Sequence, residues 1–388
     1  MTERQPQPLL QAQAATSPQA LPALPRHESE CLPLFTPNLL ADASHDVRAP
    51  GGYEWWYFDA EDPATDTQIV AIYLHGFIFH PGYLRAYARY VRRPTKTLPP
   101  LPGDFACMYF VVYRGGRILH QFMTQVPPNA YAAARDAVDV TVGPSTLTRD
   151  ADGLKLRIEG TPWKLTGRGP QTLVDQRLHA DLTFAPSLPH APQERRFLSR
   201  AMTGADHHWV IASPLCDVRG EIRLDPIRGG AGEVIHFTGR GYHDHNYGTA
   251  PLGPGLAKWI WGRAIVGGRV VTFHYAVPRD RTLPAESHLV TADADGVTEQ
   301  RVLPEIRFDR RTAVGLAFPS RIAWPDVMTL TNPRVIDASP FYLRLQYDAD
   351  IGGQRTTAFC EAAYPHRLRW PVLGRMIEMS IDKRLLKR

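Results

Sequence analysis

Eight consecutive residues, Gly241-Tyr242-His243-Asp244-His245-Asn246-Tyr247-Gly248, place one carboxyl group, two imidazoles, one amide and two phenols between glycines. Side chains of this polarity are buried only when they are paired or do chemistry. The motif follows a segment of strand character and precedes the aromatic run Trp259-Ile260-Trp261. It is therefore expected to form the mouth or floor of a mostly apolar pocket, with Asp244 as the acid. A carboxyl group against apolar and aromatic walls loses solvation, so its neutral form is favoured. Such an acid can protonate even a weak acceptor, an alkene included. The competing reading of Asp244 is a turn aspartate that accepts backbone N–H groups. The crowding of Tyr242, His243, His245 and Asn246 around it favours chemistry.

Strand geometry refines this. Successive side chains of an extended segment alternate between faces. Tyr242, Asp244 and Asn246 then share one face, and His243 and His245 the other. In His207-His208-Trp209 the same rule pairs His207 with Trp209, a proton-handling group beside an electron-rich ring. A tryptophan face attracts a cation by about 0.5–2 kcal/mol. His207, His208, His243, Asp244 and His245 include enough nitrogen and oxygen donors for zinc or iron. Alternation splits them between faces, so no metal is expected. Trp55, Trp56, Trp259 and Trp261 are candidates to line the same cavity, and Arg263 to bind a carboxylate or stack on tryptophan. There is no Gly-x-Ser-x-Gly elbow and no phosphate-binding glycine loop.

The elements that must position these residues are short strands. Glu54–Asp59, Gln68–His75, Phe105–Tyr113, Arg117–Met123 and the segments that follow are rich in β-branched and aromatic residues, with turn residues between them. That rhythm is the all-β signature, repeated in a second series after Gly248. At 388 residues with 44% hydrophobic content the chain can fill two domains. We expect a flexible, Pro- and Gln-rich leader over residues 1–46, a first domain over 47–248 carrying the site motifs, and a second over 249–388. The net charge of +5 comes with no basic stripe of a nucleic-acid-binding module. Cys31, Cys107, Cys216 and Cys360 are scattered and expected reduced. The N-terminus builds no apolar signal segment, and no run reaches the ~20 apolar residues that a span requires. Cytoplasmic residence is expected. The basic, bulky tail, His366–Met379 and Lys383–Arg388, is compatible with peripheral contact at the inner face of a membrane.

Taken together, Glu54-Trp55-Trp56-Tyr57-Phe58-Asp59, His207-His208-Trp209, Gly241–Gly248, Trp259-Ile260-Trp261-Gly262 and Tyr364-Pro365-His366-Arg367 resemble the carotenoid 1,2-hydratases, or hydroxyneurosporene synthases. The resemblance runs from about Gly52 to the tail. It implies two lipocalin-like β-barrel or sandwich domains and a cofactor-free hydration of a terminal isoprenoid double bond. The family's His-x-Trp and Tyr-x-Asp pairs fall on His207, Trp209, Tyr242 and Asp244. His243 and His245 are departures, as is the long leader. The wider superfamily includes pericyclases, so a cyclase acting on a polyene and a non-catalytic lipid binder are the alternatives. The expected reaction is protonation by Asp244, stabilisation of a tertiary carbocation by Trp209, Tyr242, Trp259 or Trp261, and water addition aided by His207. Trp55, Trp56, Trp259, Trp261 and Asn246 would contact an apolar carotenoid or isoprenoid.

Overall fold

In the computed structural model, the structure describes residues 36–166, 169–198 and 204–387. Two curled antiparallel sheets make up most of it, as expected for an all-β, lipocalin-like chain. The first sheet contains thirteen strands. At its centre Glu233–Gly248 runs between Tyr53–Asp62 and His207–Pro226. The second contains nine, and there Leu256–Val266 lies between Arg269–Pro278 and Gln354–Ala363.

The sequence of Tyr53–Asp62 explains why the sheets stack. Nearly every residue in it is buried, because both faces of the strand are covered. Trp56, Phe58 and Ala60 point into a core enclosed by the first sheet. Tyr53, Trp55 and Tyr57 point the other way, into a core shared with Trp261, Ala276, Phe359 and Ala363 of the second sheet. A third core, around Phe273, Trp324 and Tyr347, fills the second sheet alone.

Two segments depart from the expected organisation. The first 35 residues of the expected leader lie outside the described residues. Its last part, however, is built into the fold: Ala41, Asp42 and Ala43 are buried. Asp42 accepts from His243, and its carbonyl accepts from the Trp56 indole at 2.9 Å. A polar, non-periodic segment is held here by side-chain pairing, which local hydrophobic pattern does not reveal. The C-terminal segment returns to the first sheet. After the helix α1 (Pro81–Arg92) and, late in the chain, α2 (Pro371–Ser380), the Asp382 backbone bonds to Met123 and Gln125. Cys107, Cys216 and Cys360 are buried free thiols.

Candidate active site

The motif Gly241–Gly248 forms the C-terminal half of a central strand, and its register fixes what surrounds each side chain. Asn246 is opposite Trp209 on one side and Trp55 on the other. Asp244 is opposite Ile211 and Tyr57, and Tyr242 is opposite Asp59. Directly opposed residues share a face. Tyr242, Asp244, Asn246, Trp209, Trp55 and Tyr57 therefore line the first sheet's surface toward the second. Bulges interrupt the pairing between Ile211 and Cys216. Four residues between these pairs oppose two, so two extra residues bend the strand and leave its alternation in phase. The bounding glycines have a packing reason. A Cβ at Gly248 would sit 2.5 Å from the Tyr53 hydroxyl, and one at Gly241 2.7 Å from the Phe184 ring.

Asp244 is almost fully buried and accepts three hydrogen bonds. Trp209 Nε1 and Tyr242 Oη donate to Oδ2, each at 2.9 Å, and Asn246 Nδ2 donates to Oδ1 at 2.8 Å. Burial pushes the carboxyl up to about 8. The Tyr242 and Trp209 donors act against burial by favouring the carboxylate, whereas the nearby Asp59 and Glu361 carboxyls add to the effect of burial and favour the neutral acid. At neutral pH Asp244 is mostly the protonated acid. Oδ2 is occupied by two donors, so Oδ1 is the oxygen with room for the proton.

The second sheet closes over this acid with aromatic rings. Trp261 lies 5.4 Å from Tyr242 and 5.2 Å from Tyr57 between ring centroids. Trp259 lies 6.2 Å from Trp55 and donates its indole N–H to His274 Nδ1 at 2.8 Å. His274 stands edge-on to Trp209 at 4.5 Å. His207 is buried on the same side. Its Nδ1 is 2.7 Å from the Tyr53 hydroxyl, and its ring is 5.9 Å from Trp55. Burial, helped by His208, lowers its pKa to about 3, so it is neutral at physiological pH.

The structure thus gathers Asp244, Tyr242, Asn246, Trp209, His207, Trp55, Trp259 and Trp261 into one buried region. It does not bring Trp56 there. One residue out of phase with Trp55, Trp56 stacks on His245 at 4.4 Å on the opposite face. His243 and His245 are on that face too, paired with Asp42 and Glu54. Arg263 is bound inside the protein: its Nε donates to Asp59 Oδ1 at 2.5 Å.

Four residues that sequence reasoning did not single out join the region. Tyr57, in phase with Trp55, donates to Glu361 Oε1 at 3.3 Å. Glu361 in turn accepts from Arg344 Nε at 2.9 Å, and Arg344 Nη1 donates to Tyr109 and Tyr113, each at 2.7 Å. The parity of Trp55 was a sufficient signal for Tyr57. His274, Glu361 and Arg344 come from strands of the other sheet, and nothing local marks them.

Two stacked lipocalin-like sheets that enclose a buried carboxylic acid walled by aromatic rings define a class of protein. The comparisons specify which class. The family described as carotenoid hydratase CrtC matches residues 72–388, and the chain belongs to it. Its relatives include a hydroxyneurosporene dehydrogenase of Chlorobaculum tepidum, 29% identical over 80% of each chain. An acyclic carotenoid 1,2-hydratase of Thiocapsa roseopersicina is 25% identical over 87% of this chain and 75% of that protein. Among solved structures, a Nitrosomonas europaea protein described as AttH superposes with a TM-score of 0.55 at 16% identity, over 83% of this chain and 94% of that one. Kievitone hydratase from Nectria haematococca gives 0.50 at 11%, over 85% and 93%. These two likenesses establish the shared fold.

Proposed function

We propose that this protein hydrates the terminal double bond of an acyclic carotenoid or related isoprenoid by acid catalysis, without a cofactor. The observation that carries the reading is the state of Asp244: a carboxylic acid kept neutral by burial, with tyrosine, tryptophan and asparagine holding it in one orientation. Family membership supports the substrate class.

In this reading Asp244 transfers its Oδ1 proton to the less substituted carbon of the alkene. The π pair forms the new C–H bond and leaves a tertiary cation. The faces of Trp209, Tyr242, Trp259 and Trp261 stabilise that charge where water is excluded. Trp55 contributes to the same wall. Water adds to the cation, and the protonated alcohol gives up its extra proton. A protonated alcohol is so strong an acid that His207, a weak base at about 3, suffices to accept it. Return of that proton to Asp244 restores the resting state.

Asp244→Asn keeps the shape and removes the proton. Co-expressed with acyclic carotenoid biosynthesis, the wild type is expected to yield products one water heavier than the precursor. The variant should form them at least ~100-fold more slowly, the typical contribution of a general acid. Hydration at an undiminished rate in the variant would overturn the assignment. An isomer of unchanged mass from the wild type would turn the reading to a cyclase.

The substrate's apolarity makes a membrane the natural place to collect it. No described helix is long and apolar enough to cross one. Peripheral contact through the C-terminal region is part of the proposal. On α2, Val372, Met376 and Met379 fall on one helical face and are exposed, with Trp370 beside them. Arg369 and Arg375 flank this stripe. α1 packs alongside and adds exposed Arg89 and Arg92. Exposed apolar groups ringed by cations suit an anionic bilayer surface.

A further inference from the structure

On the face of the central strand that points away from Asp244, two histidines and a glutamate converge. Three nitrogens crowd one oxygen, Glu54 Oε1: His245 Nε2 at 3.0 Å, His45 Nδ1 at 3.2 Å and the His45 backbone N–H at 2.7 Å. Glu54 Oε2 takes a single donor, the Ser44 hydroxyl at 3.0 Å. A carboxylate oxygen has two lone pairs, so three donors on one oxygen beside a nearly idle partner is poor hydrogen bonding. The same spacing suits ligand atoms around a shared cation. Ligands about 2.0–2.1 Å from a tetrahedral zinc stand roughly 3.3 Å apart. His45, Glu54 and His245 each offer a donor atom within 4.8 Å of the others.

The His245 ring sharpens this. It is fully buried, and its Nδ1 makes no hydrogen bond, lying 3.8 Å from Asp42 Oδ1. Its two nitrogens thus face two carboxylates, Glu54 at Nε2 and Asp42 at Nδ1. A cation held between Nε2 and Glu54 leaves Nδ1–H to point at Asp42. Histidine ligands commonly direct their second nitrogen to a carboxylate in this way. Stacking fixes both rings, His245 on Trp56 and His45 on Tyr247 at 3.7 Å. Charge agrees. Asp42 and Glu54 are both buried, and among the described residues the one arginine paired with them is Arg149, bound to Asp42 at 3.0 Å.

We infer that His45, Glu54 and His245 bind a divalent transition-metal ion of the zinc type, with Asp42 orienting His245. The three ligands come from the segment before the first long strand, from that strand, and from the central strand. The ion would fasten residues 41–47 onto the back of the catalytic strand. His45 is partly exposed and gives a path for loading.

The test is metal analysis of the full-length protein purified without chelators, with Zn²⁺ and Co²⁺ as the added probes. Close to one equivalent of zinc per chain is expected, and cobalt substitution should give visible d–d absorption. His45→Ala and His245→Ala should each lose the metal, and Asp42→Asn should weaken binding ~10–100-fold. Asp244→Asn should retain it. His245→Ala also removes a fully buried ring, so His45→Ala, at the partly exposed ligand, is the decisive variant. Chelation should lower the wild-type melting temperature and leave that of His45→Ala unchanged. Absence of zinc together with absence of a cobalt spectrum would overturn the inference. So would metal retained equally by His45→Ala.

Discussion

Removing a hydrogen bond from a catalytic acid ordinarily weakens an enzyme across the whole pH range. Here it should also move the pH limit of activity upward. Tyr242 Oη donates to Asp244 Oδ2 at 2.9 Å, and a donor of this kind favours the carboxylate over the acid. Asp244 stands at about 8, because burial outweighs its donors. Tyr242→Phe deletes the donor and keeps the ring. A hydrogen bond to a charged group contributes about 1.5–3 kcal/mol. At 1.36 kcal/mol per pKa unit, losing it raises the acid by about one to two units. The proposed reaction needs protonated Asp244, so wild-type kcat/KM should fall with a single ionisation near 8. In Tyr242→Phe that fall should shift to about 9–10. The plateau should drop, because a weaker acid gives up its proton less readily and the cation loses an electron-rich phenol. The measurement is a pH–rate profile of both proteins on a soluble acyclic isoprenoid. A limb that stays in place or moves to lower pH refutes the assignment of that ionisation to Asp244.

Two further outcomes follow from the same structure. Arg263→Leu strands the buried Asp59 carboxylate, and denaturant unfolding should show a loss of about 3–5 kcal/mol, much of it recovered by adding Asp59→Leu; equal stability of the single and double variants would show that the ion pair is not what matters. Flotation with vesicles rich in anionic lipid should recover the wild type, and Arg369→Glu/Arg375→Glu should bind more than ~10-fold less tightly, at about 1 kcal/mol per basic group lost; binding that ignores both the substitutions and the lipid charge would remove α2 from the membrane contact.

The alternation of a strand is a local property, and the parts of the site that depend on it were legible in the sequence. Tyr242, Asp244 and Asn246 do share a face, and His207 and Trp209 do join them. The bulges near Ser213 lie beyond Ile211, so the direct pairing of Trp209 with Asn246 is untouched by them. The same rule, applied along Glu54–Asp59, separates Trp55 from Trp56 and pairs Trp55 with Tyr57. What stayed hidden is non-local. His274, Glu361 and Arg344 reach the site only because the second sheet stacks on the first. Asp42 and His45 stand in a polar segment with no period, and their burial follows from partners on strands distant in the chain.

The two faces of Glu233–Gly248 have opposite requirements, and that explains the motif's polarity. Toward the second sheet, the proposed reaction requires Asp244 to remain neutral; its surroundings supply aromatic rings and neutral hydrogen-bond donors, and the buried arginines nearby are already engaged by Asp59 and Glu361. Had either arginine bonded Asp244, its carboxylate would have been stabilised and the proton lost. Away from the second sheet, charge is retained: Asp42 and Glu54 bind His243 and His245 from the strand and anchor the N-terminal segment behind it. An aspartate between two histidines therefore need not be a triad. A backbone only one strand thick separates them, so the anchoring imidazoles hold the strand that carries Asp244 without offering it a base.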